Sequence, residues 1–324
     1  MESHGYPAGL RAVSPDGGVY AAVVNDKLCI NNWADVSIGC PLAVGGVDTV
    51  DAEFSVTGGQ LGVVLTKTGN STVWVIDMTT GLARVLGQGG LTPDANAATV
   101  LSISAEVWDV DEQTFLVQTA AAAGAGTADL IGVPVDGSTP ASLPIRADVA
   151  DSFPSMAATS TGILYSPNTG PATGQLWWLN SRGTLSQVGS DSFSDGGTVI
   201  LVAVSPTGES ALICPAHNAE IGELAQVDLA TGEVIDYLKD TRCDGAAYSP
   251  DGKFVVVAGP VNDDNVLTVF DNNTPDVMVS VRLEGGAQNT PGSVTWNSDS
   301  LLTVVPADGT AAGARVNVVQ LVTH

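Results

Sequence analysis

AVSPDGGVYAAV (Ala12–Val23), AVSPTGESALI (Ala203–Ile213) and AYSPDGKFVVV (Ala247–Val257) are three copies of one phrase. Each runs from an apolar stretch through a Ser-Pro-x-Gly step into a second apolar stretch. Proline presets φ inside a turn and glycine accepts positive φ, so each copy predicts two strands joined by a tight turn. Working outward, the first turn residues fall at Ser14, Val56, Val110, Ser160, Ser205, Ser249 and Asn297, with successive spacings of 42, 54, 50, 45, 44 and 48 residues. That brackets the roughly 40 to 50 residues of a four-stranded propeller blade. Seven turns predict seven blades.

A second marker follows the first. VWVIDMTTG, LAQVDLATG and TVFDNNTPD end apolar strands at Asp77, Asp228 and Asp271, which lie 21, 23 and 22 residues after Val56, Ser205 and Ser249. Aspartate turns back on its own backbone, so each marks a corner into a fourth strand. LWWLNSRGTL fills the same slot with Asn180 and Gly183. The reading is an all-β, seven-bladed β-propeller of four-stranded antiparallel blades, one domain over 1–324, with its ring closed by the two chain ends. Approximate blades are 8–45, 48–88, 98–145, 150–190, 197–240, 243–286 and 290–324. The last shows three strands at most, so residues near Gly5–Leu10 are expected to supply its missing edge.

The SPDG phrase, with the D-x-x-T-G corner behind it, resembles the WD40-like and TolB-like bacterial β-propellers and the YVTN-type repeats over nearly the whole chain. This resemblance implies a fold and says little of function, because such propellers serve as scaffolds, receptors, lyases and lactonases. The Gly-His and Trp-Asp signatures of true WD40 repeats are missing; the one Trp-Asp pair, Trp108-Asp109, falls in a first strand. The Ala/Val/Asp-rich, Lys-poor composition is also similar to the propeller of actinobacterial LpqB-type lipoproteins. That likeness implies an envelope role beside a sensor kinase, and it transfers no residue roles.

Composition bounds the function classes. With 44% apolar and 14% charged residues among 324, the chain can bury a large core. No apolar run reaches the roughly 18 residues that span a bilayer, and no long apolar stretch repeats every 3.6 residues, so a soluble, nearly helix-free chain without membrane insertion is expected. MESHGYPAGL lacks the order of a signal peptide, so an exported form is expected to start as a trimmed or mature domain. Eleven basic residues against 35 acidic ones give a net charge of −24 without any Lys/Arg cluster. Nucleic acid and anionic membrane surfaces are therefore poor partners. Acidity here reads first as solubility, and second as attraction for cations or a basic partner surface.

Four cysteines form two plausible pairs: Cys29 with Cys40 across the third and fourth strands of blade one, and Cys214 with Cys243 at the boundary of blades five and six. Such pairing suits an oxidising, extracytoplasmic compartment, whereas four free thiols would suit the cytosol. No C-x-x-C spacing is present, which disfavours thioredoxin-like chemistry and a zinc ribbon.

Catalytic signals are sparse. Of three histidines, His4 and His324 lie near the termini, leaving His217 in the CPAHNAEIGE loop beside Glu220 and Glu223. Acidic groups crowd at Asp109, Asp111 and Glu112, at Asp191 and Asp195, and at Asn262 to Asn265 around Asp263 and Asp264. Solvated turns explain them; calcium is the one cofactor they suit, and no twelve-residue calcium loop is present. Glycine-rich stretches match no phosphate cradle. Trp177 and Trp178 alternate across a strand, which suits blade packing and also sugar stacking.

The expected function is a non-catalytic scaffold of the bacterial cell envelope that binds a protein or envelope component through a propeller face. His217, Glu220, Asp263 and Asp264 are the candidate binding residues, and no catalytic residue or metal site is assigned. A propeller lactonase or lyase with a metal or His/carboxylate site in the funnel is the alternative. A glycan binder using Trp33, Trp177 or Trp178 is the third reading.

Overall fold

The computed structural model describes residues 2–5, 9–14, 18–32, 37–55, 57–68, 70–87, 103–108, 112–119, 129–136, 138, 141–144, 155–159, 162–167, 174–180, 184–189, 193, 197–217, 220–221, 224–236, 245–261, 264–272, 277–282, 291–298, 301–306 and 315–320. Strand β1 (Glu2–Gly5) precedes blade one, which is β2 (Leu10–Val13), β3 (Val19–Val24), β4 (Lys27–Asn32) and β5 (Ser37–Ala43). Blade two is β6 (Thr49–Phe54), β7 (Gln60–Lys67), β8 (Asn70–Asp77) and β9 (Ala83–Gly87), and blade three is β10 (Ile103–Trp108), β11 (Thr114–Thr119), β12 (Asp129–Pro134) and β13 (Ala141–Pro144). Blade four is β14 (Ser155–Thr159), β15 (Gly162–Ser166), β16 (Trp177–Asn180) and β17 (Leu185–Gln187). Blade five is β18 (Val199–Val204), β19 (Ser210–His217), the short β20 (Glu220–Ile221), β21 (Ala225–Asp228) and β22 (Val234–Asp236). Blade six is β23 (Gly245–Tyr248), β24 (Phe254–Val261), β25 (Asp264–Asp271) and β26 (Val277–Arg282), and blade seven is β27 (Pro291–Ser298), β28 (Leu301–Pro306) and β29 (Arg315–Gln320).

Among the described residues these strands make seven antiparallel sheets, ordered by sequence from an inner first strand outward except that β1 joins blade seven and β20 lies beside the path of blade five. Successive first strands lie side by side, from β2 to β6, β10, β14, β18, β23 and β27, which carries the chain around a ring. Ring closure uses both chain ends. β1 pairs with β29 from Glu2↔Val318 to Gly5↔Arg315 and becomes the outer strand of blade seven. The closing edge is thus Glu2–Gly5 rather than Gly5–Leu10, because Leu10 already opens the inner strand of blade one.

The core is a series of layers between blades. Middle strands are covered on both faces, so they read as continuous apolar runs instead of alternating ones. Neighbouring residues then serve opposite interfaces. Val63 packs with blade one while Val64 packs with blade three, and Leu212 faces blade six while Ala211 and Ile213 face blade four. Each such buried Val, Leu or Ile side chain contributes about 1.5 to 3 kcal/mol.

Aromatic residues just ahead of the first turn plug these layers. Trp108 is buried, tilts against Phe115 with ring centroids 5.0 Å apart, and donates its indole N–H to the Glu53 carbonyl of blade two at 2.9 Å. Tyr248 of blade six reaches back to blade five, where the Gln226 side-chain amide donates to its hydroxyl at 3.1 Å and Ser210 lies 3.2 Å away. Trp296 stacks on Phe254 at 6.1 Å. Trp108 therefore belongs to an inter-blade anchor.

Gly62 shows how close the blades sit. A Cβ at this position would lie 2.6 Å from the Phe115 ring of blade three. Gly62→Ala is expected to destabilise by about 1 to 3 kcal/mol, the usual cost of overpacking. Pairing it with Phe115→Leu should recover part of that loss in a double-mutant cycle by denaturant unfolding; strictly additive effects would show that the two side chains do not meet.

Cys29 and Cys40 are bonded, with sulfurs 2.05 Å apart. Cys214 is buried in the layer between blades five and six and is also disulfide-bonded. Cys243 lies outside the described residues.

Candidate functional site: the two rims of the ring

Antiparallel alternation sends the first-to-second and third-to-fourth connections of every blade to one rim. The second-to-third hairpins and the blade crossings lie on the other rim.

On the turn rim the motif serine, more than the proline, closes the turn. Ser55 donates its N–H to the Gln60 carbonyl at 2.9 Å and accepts the Gln60 N–H on its hydroxyl at 3.1 Å. Ser205 with Ser210 and Ser249 with Phe254 repeat both bonds within 3.1 Å. Gly58, Gly208 and Gly252 each return an N–H to the serine carbonyl at 2.8 Å, with φ of 76°, 73° and 72°. The repeat is therefore S-x-x-G. In blade two it starts at Ser55, one residue before the Val56 position expected from sequence, and without a proline to mark it.

The aspartate corners are built as tightly. Asp77 accepts the N–H groups of Thr79 and Thr80 at 2.9 Å each, and Asp228 accepts those of Ala230 and Thr231 at 2.9 and 2.8 Å. Asp136, accepting from Ser138 at 2.8 Å, is a corner that the sequence reading passed over, although its V-D-G-S string carries the same chemistry. The two connections of one blade are also tied together. Met78 donates to Gly59, Leu229 to Glu209 and Asn272 to Lys253, at 3.0, 2.9 and 2.7 Å. Between blades two and three, Glu112 accepts the Thr57 N–H and, at 2.7 Å, the Thr57 hydroxyl.

These bonds hold the corner carboxylates in their charged form. The Thr80 amide lowers the pKa of Asp77, the Ser138 amide that of Asp136, and the Thr231 amide that of Asp228. Beside Lys253, Asp251 falls to about 2. A depressed native pKa contributes stability above the unfolded value of about 4 and loses it as pH falls through the native one. The melting temperature is accordingly expected to drop between about pH 4 and pH 2. Asp77→Asn with Asp228→Asn should flatten that drop while changing neutral-pH stability little, since an asparagine side-chain oxygen can accept the same amides, as Asn180 accepts the Thr184 N–H at 3.0 Å in the corresponding corner of blade four. An unaltered acid slope in the double variant would contradict this.

The hairpin rim carries the candidate binding residues. His217, expected in a loop, instead ends β19 and pairs with Glu220 of the added strand β20. Asp264 opens β25 and pairs with Val261 at the end of an eight-rung ladder. Blades five and six are neighbours through β18 and β23, so His217, Glu220 and Asp264 share one rim on adjacent blades. Asp263, Glu223 and Trp33 lie outside the described residues. Trp177 and Trp178 belong to neither rim: Trp177 is 8% exposed and packs with Leu116 of blade three, and the half-buried Trp178 packs on the blade-five side. No group of three or more His, Cys, Asp or Glu suited to a metal occurs among the described residues.

No protein-family model matches the chain, and no curated protein matches it. Solved structures do. Oligogalacturonate lyase in complex with manganese is similar with a TM-score of 0.69 at 13% identity, covering 99% of this chain and 90% of that one. The β-propeller domain of Cps50 (Swd1) from Myceliophteria thermophila is similar at 0.64 and 12%, covering 98% of each chain. TolB from Acinetobacter baumannii is similar at 0.55 and 13%, covering 86% of this chain; the chain spans 63% of the TolB length. At these identities the likeness establishes a propeller and assigns no activity.

Proposed function

We propose that this propeller is a non-catalytic binding scaffold of the cell envelope, engaging a protein or envelope component through the hairpin rim of blades five and six. The observation that carries this reading is the meeting of two strand ends on one rim of adjacent blades: His217 pairs with Glu220 where β19 meets β20, and Asp264 opens β25 opposite Val261. A rigid ring presenting short connections is suited to recognition without chemistry. The Cys29–Cys40 bond supports an oxidising compartment, as does the sequence resemblance to TolB-like and LpqB-type propellers. Among the described residues no helix is long and apolar enough to cross a membrane.

The test is a quantitative crosslinking capture from envelope extract, run side by side with the native chain and a His217→Ala, Glu220→Ala, Asp264→Ala variant. A protein enriched by the native chain and lost with the variant supports the rim. Enrichment that survives the variant moves the binding face elsewhere. Absence of any enriched protein, with stoichiometric metal in the purified chain, would favour the enzymatic alternative.

A further inference from the structure

We propose that the Cys29–Cys40 disulfide is a thiol-exchangeable latch on the outer strand of blade one, whose reduction frees β5 while the rest of the ring stays folded. Apart from this bond, β5 is held by four rungs to β4 and by the side chain of Leu42 in the layer with blade two. Of its seven residues only Leu42 is buried, and Ser37, Ile38, Cys40 and Ala43 are exposed. Its ladder to β4 breaks register twice, between Leu28 and Ile30 and between Ile30 and Asn31. The first break leaves Cys29 facing Cys40 and Pro41, and proline has no N–H to give to the ladder. The covalent bond therefore does at this bulge what hydrogen bonds do in a regular strand pair.

The bonded half-cystines Cys40 and Cys214 differ in access. Cys40 is exposed on the outer strand, while Cys214 is fully buried in the layer between blades five and six. A dithiol reductant can reach Cys40. Its thiolate attacks the Cys40 sulfur, forming a mixed disulfide and releasing the Cys29 thiolate. Its second thiol then closes the reductant's own disulfide and releases Cys40 as a thiolate. Two electrons pass to the protein, and the two thiolates take up protons according to pH. Leu28 and Ile30 of β4 stay packed in the layer with blade two, so the blade remains and only its edge opens. An opened β4 edge, Lys27–Asn32, is an acceptor for an added strand.

The experiment treats the intact folded chain with dithiothreitol at neutral pH, then combines alkylation mapping with hydrogen exchange. Alkylation of Cys29 and Cys40 ahead of Cys214 is expected, with exchange in residues 37–43 faster by about tenfold or more and other blades unchanged. Simultaneous alkylation of all cysteines, no reduction short of unfolding, or reduction that leaves β5 protected would each overturn the latch. A Cys29→Ser, Cys40→Ser variant should show the open pattern without reductant; if it does not fold, the native chain alone decides.

Discussion

Gly232→Ala is expected to lower stability by about 2 kcal/mol or more beyond Gly81→Ala, although both glycines hold the same place in a D-x-x-T-G corner. The conformational cost is shared: φ is +75° at Gly232 and +69° at Gly81, and an L residue there costs about 1 to 2 kcal/mol. The surroundings differ. A Cβ at Gly81 meets nothing within 4 Å, while one at Gly232 would stand 2.4 Å from the Cα of Gly189. Gly189 belongs to blade four, so the corner of blade five packs backbone against backbone, and neither side can yield by rotating a side chain. Urea unfolding of the two variants measures the difference directly. Equal losses would mean that the blades separate at this corner without cost.

Removing residues 1–5 is expected to open the ring. Four rungs join β1 to β29; at roughly 0.5 to 1.5 kcal/mol net for each hydrogen bond, the loss comes to about 2 to 6 kcal/mol. For a chain of this size that corresponds to a fall of about 3 to 9 °C in melting temperature. The exposed β29 edge is a template for pairing with another chain, so concentration-dependent association should accompany the fall. An unchanged melting temperature in a monomeric truncated protein would show that closure does not depend on β1.

The repeat was legible because turn chemistry is local. Ser14, Ser205 and Ser249 are each followed by proline, and a tight turn needs only its own four residues to be recognised. The turn of blade two reads one position late, at Val56 instead of Ser55, because Val56 stands where the other copies have proline and the serine's defining bond runs to Gln60, five residues on. His217 reads as a loop residue in the sequence because a two-residue strand such as β20 leaves no periodicity to see. Trp108 and Trp178 gave no sign of which blade they touch, since strand alternation names a face but not the neighbour that covers it.

By itself the sequence determined the all-β architecture, the number of blades and the position of most turns, since these follow from apolar runs and turn residues a few positions apart. Tertiary structure alone decided that Glu2–Gly5 closes blade seven, that Gly62 and Gly232 face a neighbouring blade, and that His217, Glu220 and Asp264 share one rim. Those relations join residues from different blades or opposite chain ends. Their geometry is set by how whole sheets pack around the ring, and no local pattern in the chain encodes it.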